Sequence, residues 1–392
     1  MKKIKYLILL LPLLSGCYDY RELNDLAITT AVSIDYKDNN FNVIAEVINP
    51  SKQQDATSAN SSSFVIYKNT SSSLQEAFRN IVLESPRQLY NAQIEIIVIT
   101  EDVINYKLDE LLEFFSREPE IRTEIKIIVA KTDKSMEAVT IQTLLTNFSS
   151  SNILESLNTQ AEVLGITYEV TLNELLNMYL DPHLEIILPS MELYGDIDIG
   201  EDKSNIETSN PKAYTKIGTS LITKDNKIVS YLNSEESKIV SLMNNKLKKT
   251  IINLPYKDGY IVFEPNRIKT KTIANLKDNK VSLEINGYTK IKGFQASSNI
   301  KDKDEIQHIN NYFNKELEKL VTKTFYNIRD NYKTDIFGYQ RLYYITDYKY
   351  FINNCNNWYI DIFPNIDIEV KSNIRLYEKG NTLGGVKYES KN

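Results

Sequence analysis

The sequence predicts a mixed α/β protein of the α+β kind: β-sheets flanked by α-helices, in up to three domains, behind an N-terminal lipoprotein signal peptide. Three stretches carry this expectation. Ile94 to Ile99 is nearly all apolar, a helical pattern follows around Leu108 to Phe115, and Ile125 to Ala130 is again strand-like. Strand, helix and strand with short links imply parallel pairing. Ile306, Ile309, Phe313, Leu317, Leu320, Thr324 and Ile328 step by three and four, with Val321 and Phe325 alongside, which predicts one long amphipathic helix. Ile366, Ile368, Val370, Ile374 and Leu376 alternate with Asp367, Glu369, Lys371 and Arg375, as in a closing strand with one covered face.

The N-terminus reads as a secretory signal. Lys2, Lys3 and Lys5 precede the apolar run Tyr6 to Leu14, broken only by Pro12, and Leu14-Ser15-Gly16-Cys17 follows. The run is about half the ~20 residues that a spanning helix needs. Leu-Ser-Gly-Cys is similar to a bacterial lipobox, in which the cysteine thiol takes a diacylglyceryl group. Cleavage after Gly16 then leaves Cys17 as the first residue, its amino group open to a further acyl chain. The alternatives are an ordinary signal peptide with a chance cysteine, or an N-terminal anchor helix. Two acyl chains, at roughly 0.8 kcal/mol per buried CH₂, hold a protein stably on a bilayer where one does not.

Composition narrows the rest. The 392 residues exceed one compact core, and roughly 100 to 200 residues per domain suggests two or three. We expect a signal peptide over 1–16 and an N-terminal α/β region over 17–195, with a subdivision near 132 left open. A linker or surface excursion follows over 196–211, then a sheet-plus-long-helix domain over 212–379 and a loose tail over 380–392. Acids outnumber bases, with a formal charge of −6, and loss of the leader removes three lysines and no acid. That argues against nucleic acid as a partner, and against binding anionic lipid by charge alone. With only two cysteines, lipidation of Cys17 leaves Cys355 without a mate. Twelve glycines against 26 tyrosines suit sheets and interfaces better than phosphate-cradling loops.

Taken in order, Tyr18 to Ala27 mixes charged and apolar residues without a single period. Ala27 to Ile34 and Phe41 to Ile48 predict paired strands turned at Lys37-Asp38-Asn39-Asn40. Ser51 to Ser63 is polar and loop-like, and Phe64 to Tyr67 resumes a strand. Ser73-Leu74-Gln75-Glu76 and Thr171-Leu172-Asn173-Glu174 match capping boxes. The first opens a helix burying Leu74, Ala77, Phe78, Ile81 and Val82, and the second one burying Leu172, Leu175, Leu176, Tyr179 and Leu180. Helices are expected over Met136 to Leu145 and Ile153 to Leu164, with a break at Ser149 to Asn152. Ile186 to Leu188 is a short strand, and Asp225-Asn226 signals a hairpin between Ala213–Thr223 and Lys227–Leu232. A helix over Ser234 to Leu247 precedes strands at Tyr260–Phe263, Ile268–Leu276 and Val281–Ile291. Short helices should carry Tyr339 to Trp358.

No constellation specifies catalysis: Gly-x-Ser-x-Gly, a Walker loop, His-Glu-x-x-His and Cys-x-x-Cys are all missing from the sequence. The two histidines are expected at bland positions, His183 at a surface helix terminus and His308 beside the long helix's stripe. Cys355 is expected to be a partly buried bystander, and Glu118 and Glu120 around Pro119 loop charges. The reading is therefore no enzyme, no cofactor and no metal.

The chain does resemble one family in order and over nearly its whole length: the C subunit of spore germinant receptors, the Ger(x)C or GerAC-type lipoproteins. The resemblance rests on the lipobox and on Tyr18-Asp19-Tyr20-Arg21-Glu22-Leu23-Asn24-Asp25-Leu26-Ala27. It continues through Ile94 to Thr100, Phe114 to Arg122 and Thr171 to Pro189, and ends at Asp335-Ile336-Phe337-Gly338, Trp358 and Phe363-Pro364. Tyr18 stands where the family usually has Trp, Ser33 replaces a common Gly, and Gln340 the second Gly of Phe-Gly-x-Gly. The resemblance implies a non-enzymatic lipoprotein on the outer face of the spore inner membrane. It would assemble with a membrane A subunit and a transporter-like B subunit that sense small germinants. Arg21, Glu22, Asn24 and Asp25 then become candidates for partner contact, or for a local network packing the first strand. A lipid-anchored solute-binding protein, with a ligand cleft between two α/β lobes, is the competing expectation.

Overall fold

The computed structural model describes residues 22, 25–50, 62–296 and 303–378. The signal peptide, Cys17, Arg21, Asn24, most of the polar loop after Pro50 and the tail from residue 379 lie outside the described residues.

Strand β1 (Leu26–Lys37) lies in the middle of a ten-stranded sheet with β2 (Asn40–Ile48), β3 (Phe64–Ser71), β5 (Ile96–Thr100), β6 (Lys126–Ala130), β8 (Ile187–Gly195), β9 (Ala213–Lys224) and β10 (Lys227–Tyr231). Their order is β10-β9-β8-β6-β5-β1-β2-β3, with β4 (Gln88–Tyr90) pairing β1 and β7 (Val170–Thr171) pairing β6. The centre is parallel, β1 with β5, β5 with β6 and β6 with β8. Both flanks are antiparallel hairpins. The parallel centre is where the sequence has unbroken apolar runs, because both faces are covered. Ile97 and Ile99 pack with α1 (Leu74–Asn80), α2 (Glu101–Tyr106) and α3 (Leu108–Arg117). Ile96 and Val98 pack on the other face with Ile153 and Leu157 of α4 (Ser149–Val163). Asp38 and Asn39 (φ 51° and 60°), like Asp225 and Asn226 (φ 52° and 59°), take the left-handed conformations of two-residue hairpin turns.

Several expectations shift. Residues 133–139 form a 3₁₀ turn, so the helix expected over Met136 to Leu145 does not form. The break expected at Ser149 is a helix start: the buried Glu46 carboxylate on β2 accepts the Ser149 amide at 2.7 Å and the Ser150 amide at 3.2 Å, as a helix cap supplied from another strand. Ser73 accepts the Glu76 amide, but the Glu76 carboxylate bonds Ser72 and does not reach back to the cap. Thr171 with Glu174 completes its box before α5 (Leu172–Leu180). A second complete box, Asn233 with Glu236, opens α7 (Ser234–Met243).

The acidic stretch 196–211 joins β8 to β9, which are paired neighbours. It holds the short helix α6 (Ile197–Glu201) and is pinned by buried Asn205, whose amide bonds the Gln142 and Ala213 carbonyls and the Lys212 and Ala213 amides. Placing 212 onward with the C-terminal sheet therefore does not match the ladders, which put β9 and β10 on the first sheet. Polar composition marks exposure to water, and an excursion between paired strands has it as much as a linker does.

The second sheet has the order β11 (Ile252–Tyr256), β12 (Gly259–Asn275), β13 (Lys280–Gln295) and β14 (Asp367–Glu378), with β14 parallel to β13. The long helix α8 (Lys303–Asn327) buries Ile309, Phe313, Leu317, Val321 and Phe325 against it. It also covers the open edge of β14. Glu318, Asn314 and Asn310 accept the amides of Ser372, Ile374 and Leu376, each at 2.8 Å. Four helical residues rise about 6 Å, close to the advance of two strand residues, so steps of four on α8 stay in register with steps of two on β14. An edge dressed in this way cannot recruit a foreign strand.

Candidate functional site

The residues of the C-terminal signature converge where the two sheets meet. After α8 the chain closes a π turn over Ile328–Tyr332 and reverses at Lys333 (φ 55°). The Thr334 hydroxyl then donates to the Thr223 carbonyl of β9 at 2.6 Å. Asp335 is 1% exposed. Its carboxylate accepts the Tyr339 amide at 3.1 Å and the Gln340 amide at 2.6 Å, capping the first turn of α9 (Tyr339–Thr346). Gly338 holds φ 70°, and a Cβ there would stand 3.2 Å from Leu184 Cδ2. Phe337 stacks on Tyr339 at 5.3 Å, and the Asn244 side chain donates to the Ile336 carbonyl at 3.1 Å.

Beyond α10 (Tyr348–Asn354), Trp358 is buried against Tyr343 and Phe363, and Pro364 sits in the 3₁₀ turn that leads into β14. Next to Trp358, Tyr359 reaches the first sheet. Its hydroxyl accepts the Asp335 amide at 3.4 Å and donates to Glu185 Oε1 at 2.6 Å. Glu185 Oε2 accepts the Asp225 amide of the β9–β10 turn at 3.0 Å. The Lys224 ammonium lies 4.3 Å from the Tyr359 ring centre, and Arg341 pairs with Asp181. These bonds fasten residues 334–364 to the strands of the first sheet as a polar latch.

Burial sets the electrostatics of the latch. It pushes the Asp335 carboxyl up to about 7 against the pull of three backbone amides, with the Glu185 charge adding to the rise. Burial also raises Glu185, opposed by the Tyr359 hydroxyl and the Asp225 amide. Tyr359 is raised by burial and by the carboxylate it faces. A hollow of about 290 Å³ beside the latch is lined by Leu184, Glu185, Asn244, Phe337 and Gly338, among others.

Asp335, Phe337, Gly338, Trp358 and Pro364 thus belong to one structural element. Glu22 and Asp25 are exposed just ahead of β1, joined by an Asp25 amide to Glu22 carbonyl bond of 3.0 Å. His183 is not at a free helix terminus: its ring packs on Tyr344 at 4.6 Å and Phe351 at 5.1 Å, and burial lowers its pKa. His308 is exposed near Tyr256. Cys355 is buried, which raises its thiol. Among the described residues, no group of three or more His, Cys, Asp or Glu side chains is placed to hold a metal, and no helix is long and apolar enough to cross a membrane. Sequence reasoning missed Glu185 and Tyr359. The available signal was a lone carboxylate between Leu184 and the apolar run Ile186 to Leu188.

The fold is thus two helix-flanked sheets closed by a polar latch, in which Asp335 is held by backbone amides and Glu185 by the Tyr359 phenol. Comparison with known proteins makes this specific. The family description "Spore germination protein N-terminal domain" matches residues 19–193, and "Spore germination B3/GerAC like, C-terminal" matches residues 217–380. The chain belongs to the Ger(x)C family, the C subunits of germinant receptors acting in spore germination. It is 24% identical to "Spore germination protein KC" of Bacillus subtilis (strain 168), over 96% of this chain and 95% of that one. It is 21% identical to "Spore germination protein YndF" of the same organism, over 95% of each chain. The crystal structure of the GerBC protein superposes with a TM-score of 0.53 at 17% identity, covering 88% of this chain and 96% of that chain, a likeness of fold.

Proposed function

We propose that this chain is a non-enzymatic lipoprotein subunit of a germinant receptor. Acyl chains on Cys17 hold it on the outer face of the spore inner membrane, where it assembles with membrane A and B subunits. The observation that carries the reading is positional: Leu14-Ser15-Gly16-Cys17 ends two residues before the first family match begins. The family-matched body thus follows the acylated cysteine almost without a spacer. Glu22 and Asp25, exposed within a few residues of that anchor, are the candidate contacts for the partners, together with Arg21 and Asn24. Replacing Cys17 by Ala should release the protein from spore membranes and impair nutrient-triggered germination. Full membrane retention with normal germination in that mutant sinks the proposal. Co-purification of two membrane partners with the intact lipoprotein tests the assembly separately.

The hollow of about 290 Å³ beside the latch favours one competitor, a solute-binding protein of a transporter. Ligand pockets usually enclose roughly 300–1,000 Å³, so this one sits at or below the low end. Calorimetry of the purified chain with amino acids and sugars separates the two readings, since tight binding supports the competitor.

A further inference from the structure

We propose that a hollow beside the β12–β13 hairpin is a binding site for a phosphoryl group or an equivalent multiply charged oxyanion. The hollow has a volume of about 460 Å³ and is built around an irregularity in the ladder. Asn266 pairs with Tyr288 and Lys269 with Asn286, so Arg267 and Ile268 together oppose Gly287. Two residues against one is a β-bulge, which re-aims a side chain. Arg267 sits in the left-handed region at φ 51°. A Cβ at position 287 would lie 3.2 Å from Ile268 Cα and 3.3 Å from the Arg267 and Asn266 carbonyls, so glycine is what lets the bulge close.

The bulge brings Arg267 to Lys248, Lys249 and Lys290 around the hollow. Among the described residues that line the hollow there is one carboxylate, Glu264, only 6% exposed. Its Oε2 is 3.2 Å from the Lys249 ammonium, and its Oε1 is 3.5 Å from Lys290 and 3.8 Å from Lys292. A single buried anion shared by three ammoniums holds them in place around the hollow. Lys248 has its own acids, Glu162 at 3.5 Å and Glu169 at 3.3 Å. Among the described residues the Arg267 guanidinium has no hydrogen-bond or ion-pair partner. Its planar fork matches a phosphate or carboxylate edge, and the lysines add point charges. Tyr288 and Tyr377, edge to face at 5.9 Å, form an apolar wall with a hydroxyl at the rim. In a chain where 52 acids face 46 bases, this local reversal of sign stands out, and a concave cationic site focuses its field on an incoming anion.

The phosphoryl group could belong to a free phosphate compound or to an anionic lipid headgroup, and the test has one arm for each. The full chain carrying Cys17→Ala is titrated calorimetrically with inorganic phosphate and with glycerol 3-phosphate. The same protein is floated with phosphatidylcholine vesicles with and without phosphatidylglycerol. Arg267→Glu should weaken binding at least tenfold in whichever arm shows it, and Arg267→Lys by less. Arg267→Gly guards against misfolding: glycine suits the left-handed backbone, so it should lose anion binding while keeping or raising Tm. Binding should also fall as salt rises. Saturable phosphate binding with that pattern assigns a soluble ligand, and a phosphatidylglycerol-dependent excess lost in Arg267→Glu assigns a headgroup. No binding in either arm, or equal binding by parent and both charge-removing variants, overturns the proposal.

Discussion

The Tyr359 hydroxyl donates to Glu185 Oε1 at 2.6 Å, joining two residues 174 positions apart, one just ahead of β8 and the other in the helical turn that precedes β14. Truncation to Tyr359→Phe keeps the ring, which packs on Phe363 at 5.9 Å, but strips the half-buried Glu185 of a donor. Losing one hydrogen bond at a half-buried group that keeps its other partner costs about 0.5–1.5 kcal/mol. Urea unfolding of Tyr359→Phe should show a loss of that size with an unchanged m-value. A loss too small to measure means that the latch contributes nothing.

The latch also predicts a pH dependence. Burial raises Asp335 from the ordinary 3.8 to about 7, so the folded chain binds this proton more tightly than the unfolded chain. The associated stability is fully present below pH 3.8 and is lost as pH rises through about 7. Glu185 and Glu46, both raised by burial, act with the same sign. The slope from Asp335 alone approaches about 1.4 kcal/mol per pH unit within that window. Denaturant midpoints measured across the window should show this decline, and it should be shallower in Asp335→Asn. An identical slope in the mutant removes Asp335 from the account.

Gly338→Ala places a methyl on a left-handed residue and presses it toward Leu184 Cδ2, 3.2 Å away. The backbone term costs about 1–2 kcal/mol. Thermal unfolding should register it, and Gly338→Asn, which tolerates this conformation better, should recover part of the loss. If both variants melt with the parent, the turn is not under constraint.

Glu46 makes a different kind of prediction. Its carboxylate takes the Thr30 hydroxyl at 2.6 Å and both leading amides of α4, and Glu46→Gln turns one acceptor into a donor facing those amides. A loss of about 1.5–3 kcal/mol is expected for hydrogen bonds to a buried charge. Hydrogen exchange at Ser149 and Ser150 should accelerate before the rest of the sheet responds, and unchanged protection there disproves the capping role.

Local patterns were legible in the sequence wherever burial is periodic. The stripe from Ile309 to Phe325 and the alternation from Ile366 to Leu376 appear as read. So does the parallel pairing of β5 with β6. What escaped was set by partners far along the chain. Nothing around Ser149 announces a helix start, because its cap is Glu46, 103 residues earlier. Asn310, Asn314 and Glu318 look like the wet side of α8 until β14 is laid beside them. Among the signature residues, Asp335 and Gly338 were visible as a motif, but their role depends on Glu185 and Tyr359, which no spacing connects.

Strand β1, the first strand among the described residues, is hydrogen-bonded on both sides, to β2 through Lys37 and to β5 through Ile34. A pull transmitted along the residues ahead of Leu26 loads both ladders in shear, so many bonds share the force at once. Strand β14 is likewise held on two sides, by the β13 ladder and by the α8 side chains Asn310, Asn314 and Glu318. A tether dragging on the leading end would therefore meet the resistance of two ladders at once, because β1 is gripped along its length rather than at a rim.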